Sequence, residues 1–216
     1  SIGWALWCGT LSAFVGPVIL AWVLHNRFVL PEEAKLIAVS KYTSDENVSA
    51  LLEAGHMDFA EARPQNLRDR ATQFPNAHWH MIGPLQKNKA KYVGRFAHMW
   101  HSLCDIETAK AVASHTINRV LPVLVQVNIS GEPQKQGVLP EALPLFLQQL
   151  APIQELQVIG LMGMAAKDDD PRPAFTLLRQ CRDEVTQQHP MSQELCMGMS
   201  NDWRIAIEEG ATMIRV

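Results

Sequence analysis

The sequence predicts an α/β fold, a closed (β/α)₈ barrel of the TIM type, in which eight parallel strands are surrounded by helices. Segments typical of strands and helices alternate about eight times from residue 35 to residue 216, and neither a low-complexity linker nor a close internal repeat interrupts them. Such alternation indicates parallel strands joined by helical crossovers, and eight units favour a closed barrel over an open sheet. A Rossmann-type sheet is disfavoured because no glycine-rich dinucleotide or phosphate loop follows the first strand.

The composition is that of a globular protein that can bury a sizeable core. The 216 residues are 47% hydrophobic and 19% charged, which fits one domain with a small appendage. A net charge of −3 gives no general attraction to nucleic acid, so no nucleic-acid partner is expected. The four cysteines are far apart and lack CxxC spacing, which favours a reducing, cytoplasmic compartment without disulfides or a zinc site.

The first 30 residues differ from the rest of the chain. No charged side chain occurs from Ser1 to Leu24, and tryptophans lie near both ends of this run. A helix of that length would reach roughly 36 Å, enough for a bilayer core of about 30 Å, and Arg27 beyond it would favour a cytoplasmic barrel. Glycines and a proline dilute the run, so a membrane anchor is favoured less than a buried or disordered leader or a misassigned start. We therefore predict an atypical hydrophobic segment at 1–30 and a barrel domain at 31–216.

The strands are predicted from short apolar runs, rich in β-branched residues, that are bounded by turn residues. The first strand is the run Leu36-Ile37-Ala38-Val39-Ser40-Lys41. The remaining strands are predicted at 57–61, 78–83, 98–103, 122–129, 156–162, 195–200 and 212–216. The chain stops in the eighth strand, so the helix that normally closes such a barrel is expected to be missing.

Helical periodicity and capping residues predict the connections between these strands. The predicted helices are 45–53, 65–72, 106–117, 139–150, 175–187 and 202–209, and a basic segment at 86–89 opens another. Gly55 and Gly210 follow two of them, as C-terminal glycines commonly do.

Lys41 ends the first predicted strand at the carboxyl edge of the sheet, where α/β proteins place their chemistry. We expect a lysine at this edge to be partly desolvated, which lowers the pKa of the amine and frees it for Schiff-base chemistry with an aldehyde. The alternative is a lysine that simply ends a strand in water, because lysine is mostly exposed. Position alone favours that alternative.

The ends of the last two strands carry a pattern that suits an anion. Ser200 and Asn201 follow the seventh strand and open a helix, whose first amides and dipole attract phosphate. Either residue could instead be a simple N-cap. Arg215 is next to the end of the eighth strand, and it supplies a fixed cation if its side chain faces the mouth of the barrel. One lysine, one arginine and one helix N-terminus at the same mouth suit a small anionic aldehyde.

His78 and His80 alternate on the third strand, so both imidazoles are expected on one face. Two such histidines can ligate a metal, and Glu61 and His101 are the nearest candidates for further ligands. A metal-dependent barrel hydrolase is therefore a weaker functional alternative. No HExxH motif or aspartate-rich loop supports a metal. We therefore predict histidines that pack or form hydrogen bonds, and no metal ligand is assigned.

Taken together, these segments resemble the pyridoxal phosphate homeostasis proteins, the YggS/PROSC group related to the N-terminal domain of alanine racemase. The matching segments, in the order of the family, are LIAVSK at 36–41, FAEARPQN at 59–66, HWHMIGPLQKNK at 78–89, VLVQVNIS at 123–130, GLMGMA at 160–165 and LCMGMSNDWRIAIEEGATMIRV at 195–216. The combination is specific, although each segment alone is not, and it covers the chain from Lys35 to Val216.

The resemblance implies a fold-type III barrel that holds pyridoxal 5′-phosphate (PLP) as an aldimine on Lys41. Ser200 and the following amide of Asn201 would contact the phosphate, and Arg215 would face the pyridine nitrogen. Met199 and His80 complete the implied set of cofactor-binding residues. An arginine opposite the ring nitrogen keeps that nitrogen unprotonated, which makes the ring a poorer electron sink and suits a carrier better than a transaminase.

The function that the resemblance implies is intracellular PLP homeostasis and delivery, with apo PLP-dependent enzymes as partners and without conventional catalytic turnover. Lys135 matches a loop lysine of the family, which would assist transfer of the cofactor. A racemase needs two groups on opposite faces of its substrate, and only Lys41 is in evidence, so no catalytic residue is assigned. A fold-type III PLP enzyme, such as an amino-acid racemase or aldolase, is the alternative, with His80 as its second acid or base.

Three features depart from the family pattern. Ala62 stands where the family has the asparagine of a Gly-Glu-Asn run, which is expected to weaken the cofactor contacts. The chain ends before the Gly-Thr that completes the phosphate cup after Arg215, which is expected to weaken phosphate binding. Residues 1–30 lack the polar character of the family's N-terminal helices.

Overall fold

A computed structural model describes residues 34–132 and 135–216. Within these ranges eight parallel strands form a closed barrel in the order of the sequence, and the eighth strand pairs with the first. The strands are β1 Lys35–Val39, β2 Asp58–Glu61, β3 His78–Met81, β4 Met99–Leu103, β5 Leu121–Gln126, β6 Leu156–Met162, β7 Glu194–Cys196 and β8 Met213–Arg215. The predicted closed parallel barrel is confirmed.

A helix connects each strand to the next. The helices are α1 Asp45–Glu53, α2 Pro64–Gln73, α3 Ala90–Phe96, α4 Ile106–Ala113, α5 Leu143–Leu150, α6 Arg172–Gln188 and α7 Trp203–Glu208. Short 3₁₀ turns at Lys87–Lys89 and Pro140–Ala142 precede α3 and α5. The hydrophobic segment 1–30, with its predicted span at 1–24, lies outside the described residues. In the described part of the chain, no helix combines the length and apolarity needed to cross a membrane.

The core has two layers because side chains alternate across each strand. Outward-facing residues such as Phe59, Trp79 and Trp100 pack beneath the helices and are almost fully buried. Inward-facing residues fill the barrel itself. The buried apolar members of this inner layer are Ile37, Ala60, Met99, Leu124, Met162, Cys196 and Met213. The barrel is therefore packed along its axis, and a polar side chain inside it must find a partner there.

Several strands end earlier than the sequence predicts, and the differences at β1 and β7 change where predicted site residues lie at the carboxyl end of the barrel. β1 stops at Val39 because the chain turns there, and the Thr43 N–H donates to the Ser40 carbonyl oxygen at 2.9 Å. β7 stops at Cys196 because Gly198 adopts φ +91, which bends the chain out of the sheet. Lys41 and Ser200 consequently lie on loops at this end of the barrel.

Candidate functional site at the carboxyl mouth of the barrel

The loops that follow β1 and β7 and the end of β8 bring Lys41, Ser200 and Arg215 to the same end of the barrel. Parallel strands all end at one side, and barrel enzymes place their active sites there. We call this end, defined by these three residues, the mouth. The opposite end, where the strands begin, is the amino end.

Lys41 is exposed at the mouth, so the expected partial desolvation of its amine is wrong. The physical reason is that β1 ends two residues earlier and the turn carries Lys41 beyond the barrel wall. Its Nζ lies 5.4 Å from the ring centroid of Tyr42, which is itself 83% exposed. The amine is accessible to a ligand that arrives from solvent.

Glu61 lies at the end of β2, next to the loop that carries Lys41. The carboxylate is only 1% exposed, and the Ser40 hydroxyl donates to its Oε1 at 2.8 Å. The other oxygen, Oε2, is buried and has no hydrogen-bond partner among the described residues. Burial raises the pKa of Glu61, and the hydrogen bond from Ser40 and the charge of Arg70 offset part of that rise. Glu61 fixes the residue immediately before Lys41.

Arg70 on α2 holds the same loop from its outer side. Its guanidinium pairs with Asp45 and donates to the carbonyl oxygen of Thr43. Its Nε also lies 3.9 Å from Oε1 of Glu61. The loop from Ser40 to Asp45 is therefore tied to the barrel at both ends of the turn, although the Lys41 side chain itself extends into solvent.

Arg215 on β8 points into the barrel and is 4% exposed. One Nη2–H donates to the carbonyl oxygen of Gly163 at 3.3 Å. Its Nε–H is buried and has no partner within the described ranges, where no carboxylate lies close enough to form an ion pair with it. A buried guanidinium N–H without an acceptor can form a hydrogen bond with a ligand atom that supplies one.

The loop after β7 presents Met199, Ser200 and Asn201 to solvent at the mouth. The Asp202 carboxylate accepts a hydrogen bond from the Met199 N–H at 2.6 Å, and Asp202 is the residue that precedes α7. The alternative that Ser200 or Asn201 is a simple N-cap is therefore wrong. None of the backbone hydrogen bonds of this turn uses the amides of Ser200 and Asn201 as donors. These two amides can bind an anion.

Replacing Gly198 with alanine is expected to disrupt this turn. At φ +91 a side chain costs about 1–2 kcal/mol, and the new Cβ would lie 2.5 Å from Cβ of Ala206. The free energy of unfolding, measured with urea, should fall by more than it does in a Gly55→Ala control. Gly55 has φ +88 but nothing within 4 Å of the added Cβ, so the control carries only the conformational cost. Equal losses in the two variants would contradict the predicted clash.

A second polar cluster lies inside the barrel, and the sequence did not predict its connections. His80 Nε2 is 3.1 Å from Oδ1 of Asp58, and His80 Nδ1 is 2.8 Å from Nε2 of His101. The Nδ1 of His101 is in turn 3.3 Å from Sγ of Cys196. We call Asp58, His80, His101 and Cys196 the interior row.

The interior row shows which contacts the two histidines make in the described part of the chain. His78 and His80 do share one face, as predicted, because both contact Oδ1 of Asp58. Both are hydrogen-bonding histidines, and within the described ranges no group of three or more His, Cys, Asp or Glu side chains could hold a metal. Glu61, considered as a further ligand, lies instead at the mouth with Ser40.

Asp58 and Cys196 are the members of the row that were not predicted from the sequence, and Asp58 is the charged one. It begins β2, and it faces inward because it shares the parity of Ala60, an inner-layer residue. A charged residue two positions before a small apolar one on a strand is the signal that could have identified it. Arg70 carried no comparable signal, because only the fold brings α2 next to the loop after β1.

The closed barrel with its polar mouth belongs to the class of barrels represented by the alanine racemase N-terminal domain. The family model for the alanine racemase N-terminal domain matches residues 23–216. The pyridoxal phosphate homeostasis protein of Deinococcus radiodurans is 39% identical over 185 residues, which cover 84% of this chain and 86% of that protein. The chain therefore belongs to the family of pyridoxal phosphate homeostasis proteins, as the sequence motifs predict.

Solved structures agree with this assignment. PipY of Synechococcus elongatus, determined without PLP, has 32% sequence identity and a TM-score of 0.84, and the match covers 93% of this chain and 97% of that chain. The structure of PipY with PLP bound has 31% identity and a TM-score of 0.80, with coverage of 92% and 97%. The similarity thus extends over nearly the whole barrel.

Proposed function

We propose that this chain binds pyridoxal 5′-phosphate at the mouth and serves intracellular PLP homeostasis and delivery, without conventional catalytic turnover. The observation that carries the proposal is Arg215, a buried guanidinium whose Nε–H has no partner among the described residues. An unsatisfied buried donor costs free energy unless a ligand supplies an acceptor. The PLP bound to PipY and the names of the curated relatives support the identity of that ligand.

The residues at the mouth fit each part of PLP. The ring nitrogen is the acceptor that Arg215 requires, and the exposed amine of Lys41 can reach an aldehyde. The amides of Ser200 and Asn201, which the turn leaves unused, suit the phosphate oxygens, and Met199 is exposed beside them. When bound, PLP supplies an aldehyde that condenses reversibly with a primary amine.

The protein's own side chains position and protect this site. Glu61 and Arg70 hold the loop at Ser40 and Thr43, which limits the positions available to Lys41. Arg215 is always charged, so a nitrogen that accepts its hydrogen bond is not protonated. This favours holding the cofactor over using it as an electron sink.

Absence of turnover is proposed because, among the described residues, the one considered as a second acid or base is engaged elsewhere. His80, the residue considered for that role, uses one ring nitrogen for Asp58 and the other for His101 inside the barrel. The same bonds occupy both ring nitrogens of His80, so the cofactor contact proposed for it would not be a hydrogen bond from its ring. A panel of D- and L-amino acids should therefore give no racemisation or aldol cleavage with PLP bound.

Delivery to apo PLP-dependent enzymes is the second part of the proposal. Lys135, in the loop after β5, pairs with Glu132, and its Nζ lies 3.4 Å from the carbonyl oxygen of Ala165 near the end of β6. This places a second primary amine on a loop at the carboxyl end of the barrel. Such an amine could receive the aldehyde as it leaves Lys41, and Lys135→Ala should slow transfer of PLP to an apo-enzyme without weakening binding.

Borohydride reduction tests the central assignment. Reduction of the PLP-loaded protein should fix the cofactor on Lys41, identified by mass spectrometry of the peptide, and should abolish the visible absorption of the bound cofactor. Lys41→Ala should lose the reducible adduct, whereas Lys91→Ala, which removes an exposed lysine of α3, should retain it. The proposal fails if Lys41→Ala keeps the same amount of adduct on another lysine.

A further inference from the structure

Two exposed methionines lie beside Arg215 at the mouth. The backbone N–H of Arg215 donates to the carbonyl oxygen of Gly198 at 3.1 Å, and its Nη2–H donates to the carbonyl oxygen of Gly163 at 3.3 Å. The residue after Gly198 is Met199, which is 42% exposed, and the residue after Gly163 is Met164, which is 37% exposed. Both methionines therefore follow residues that contact Arg215.

Tyr42 adds a third apolar side chain, on the loop after β1. The Val39 N–H donates to the carbonyl oxygen of Val216 at 2.7 Å, which joins the end of β1 to the residue after Arg215. Tyr42 is 83% exposed. Aromatic and methionine side chains are enriched where one protein covers another, so these three residues in water around one opening indicate a contact surface. We call Tyr42, Met164 and Met199 the apolar rim.

The loops after β2 and β3 carry positive charge on another part of the mouth. Arg63 follows β2, Lys87 and Lys89 belong to the turn after β3, and Lys91 lies in the first turn of α3. Lys87 Nζ lies 3.2 Å from Oε2 of Glu107, whereas the other three cations form no ion pair within the described ranges. We call these four cations the basic arc.

The loop after β6 carries the opposite charge. Asp168, Asp169 and Asp170 are exposed there. In a closed ring of eight strands that follow one another in sequence order, β6 lies across the mouth from β2. Charges of opposite sign on opposite sides of a surface favour one orientation of a partner over the others.

We propose that the apolar rim and the basic arc form a docking surface for an apo PLP-dependent enzyme that receives the cofactor. The inference rests on the proposed delivery of PLP. The recipient's surface has apolar side chains that cover the rim and an acidic patch that faces the basic arc. Methionine side chains are flexible and adapt to surfaces of different shape, so the rim fits several recipient enzymes. The charges set the orientation in which each recipient faces the mouth.

Transfer of PLP to an apo-aspartate aminotransferase of net negative charge tests the docking surface in the full chain. Recovery of aminotransferase activity should become faster with rising apo-enzyme concentration and should exceed the rate at which PLP leaves the protein on dilution. The double variant Arg63→Glu, Lys89→Glu should slow transfer by about 10-fold, and Met164→Ser by about 5-fold. The controls change the amino end: Arg95→Glu in the last turn of α3, and Met191→Ser, whose side chain is 70% exposed. Both controls should transfer PLP like the parent.

Two further measurements separate docking from the binding of PLP. Both mouth variants should keep the parental release rate on dilution and the parental yield of the Lys41 adduct after borohydride, because none of the changed residues is assigned to the cofactor. Added salt should slow transfer from the parent but not from the double variant. Transfer at the parental rate by either mouth variant, or transfer that does not depend on apo-enzyme concentration, would overturn the docking surface.

Sedimentation of the parent distinguishes another occupant of the same surface. A dimer that dissociates in Met164→Ser would assign the rim to a second copy of the chain and would overturn the recipient enzyme as its partner. The borohydride adduct distinguishes a failure of the proposed function. A parent that forms no adduct does not hold PLP on Lys41, and the docking inference then fails together with the proposed function. A parent that forms the adduct but transfers PLP only as fast as it releases it contradicts the docking inference alone.

Discussion

The free energy of unfolding should fall steeply when the pH is lowered from about 7.5 to about 5.5. Burial is the main reason that the pKa values of His80 and His101 lie below the ordinary 6.5. In this pH range the two histidines therefore bind more protons in the unfolded chain than in the native barrel. This stability is fully present above about 6.5 and is lost as the pH falls towards the folded-state values, by up to about 1.4 kcal/mol per pH unit for each histidine. The Asp58 carboxylate offsets part of the loss at His80.

Urea unfolding at a series of pH values measures this slope. His101→Gln keeps a donor and an acceptor inside the barrel but does not titrate, so it should reduce the slope by about 1.4 kcal/mol per pH unit. His189→Gln is the matched control, because His189 is exposed at the end of α6 and should leave the slope unchanged. A parent protein with equal stability at about pH 7.5 and about pH 5.5 would show that the interior row is protonated in the native state.

The fold could be predicted from the sequence because each strand has its own apolar run, and each run is followed by a helical pattern. The same pattern does not show where a strand turns. The apolar and small residues continue past Val39 to Ser40 and past Cys196 to Met199, so the strands predicted from the sequence are longer than the observed ones and extend into the mouth. Only the backbone geometry at Gly198 and the hydrogen bond that closes the turn at Ser40 set the true ends.

The positions of site residues at the ends of strands could be predicted from the sequence. Contacts between residues on different strands could not. Lys41, Ser200 and Arg215 lie at strand ends, and the topology brings them to one mouth without further information. The interior row joins β2, β3, β4 and β7, so its contacts depend on the curvature of the closed barrel. Likewise, Arg70 meets Glu61 only because α2 packs beside the loop after β1. The sequence pattern alone contains no information on the contacts of the interior row or on the contact between Arg70 and Glu61.

Replacing Arg215 with leucine should change stability and cofactor binding in opposite directions. The side chain is buried, makes one hydrogen bond to Gly163 and has no ion-pair partner in the described part of the chain. Replacing a buried ion pair with apolar residues is often stabilising by about 1–4 kcal/mol because desolvation outweighs the attraction, and Arg215 bears a desolvation cost without an ion-pair partner among the described residues. We therefore expect Arg215→Leu to unfold at higher urea concentration than the parent without cofactor. Loss of a charged hydrogen bond to PLP should weaken binding by about 10- to 100-fold.

Arg95→Leu is the control, because Arg95 is exposed on α3 and its replacement should alter neither property. If Arg215→Leu instead lowered stability while binding PLP normally, the guanidinium would serve the barrel and not the ligand. A gain in stability together with a loss of PLP binding would show that the guanidinium serves the ligand and not the barrel. A residue that destabilises the empty protein is retained for what it binds, and such a cost is typical of functional sites. The unpaired Nε of Arg215 is then the feature that distinguishes this mouth from an ordinary barrel end.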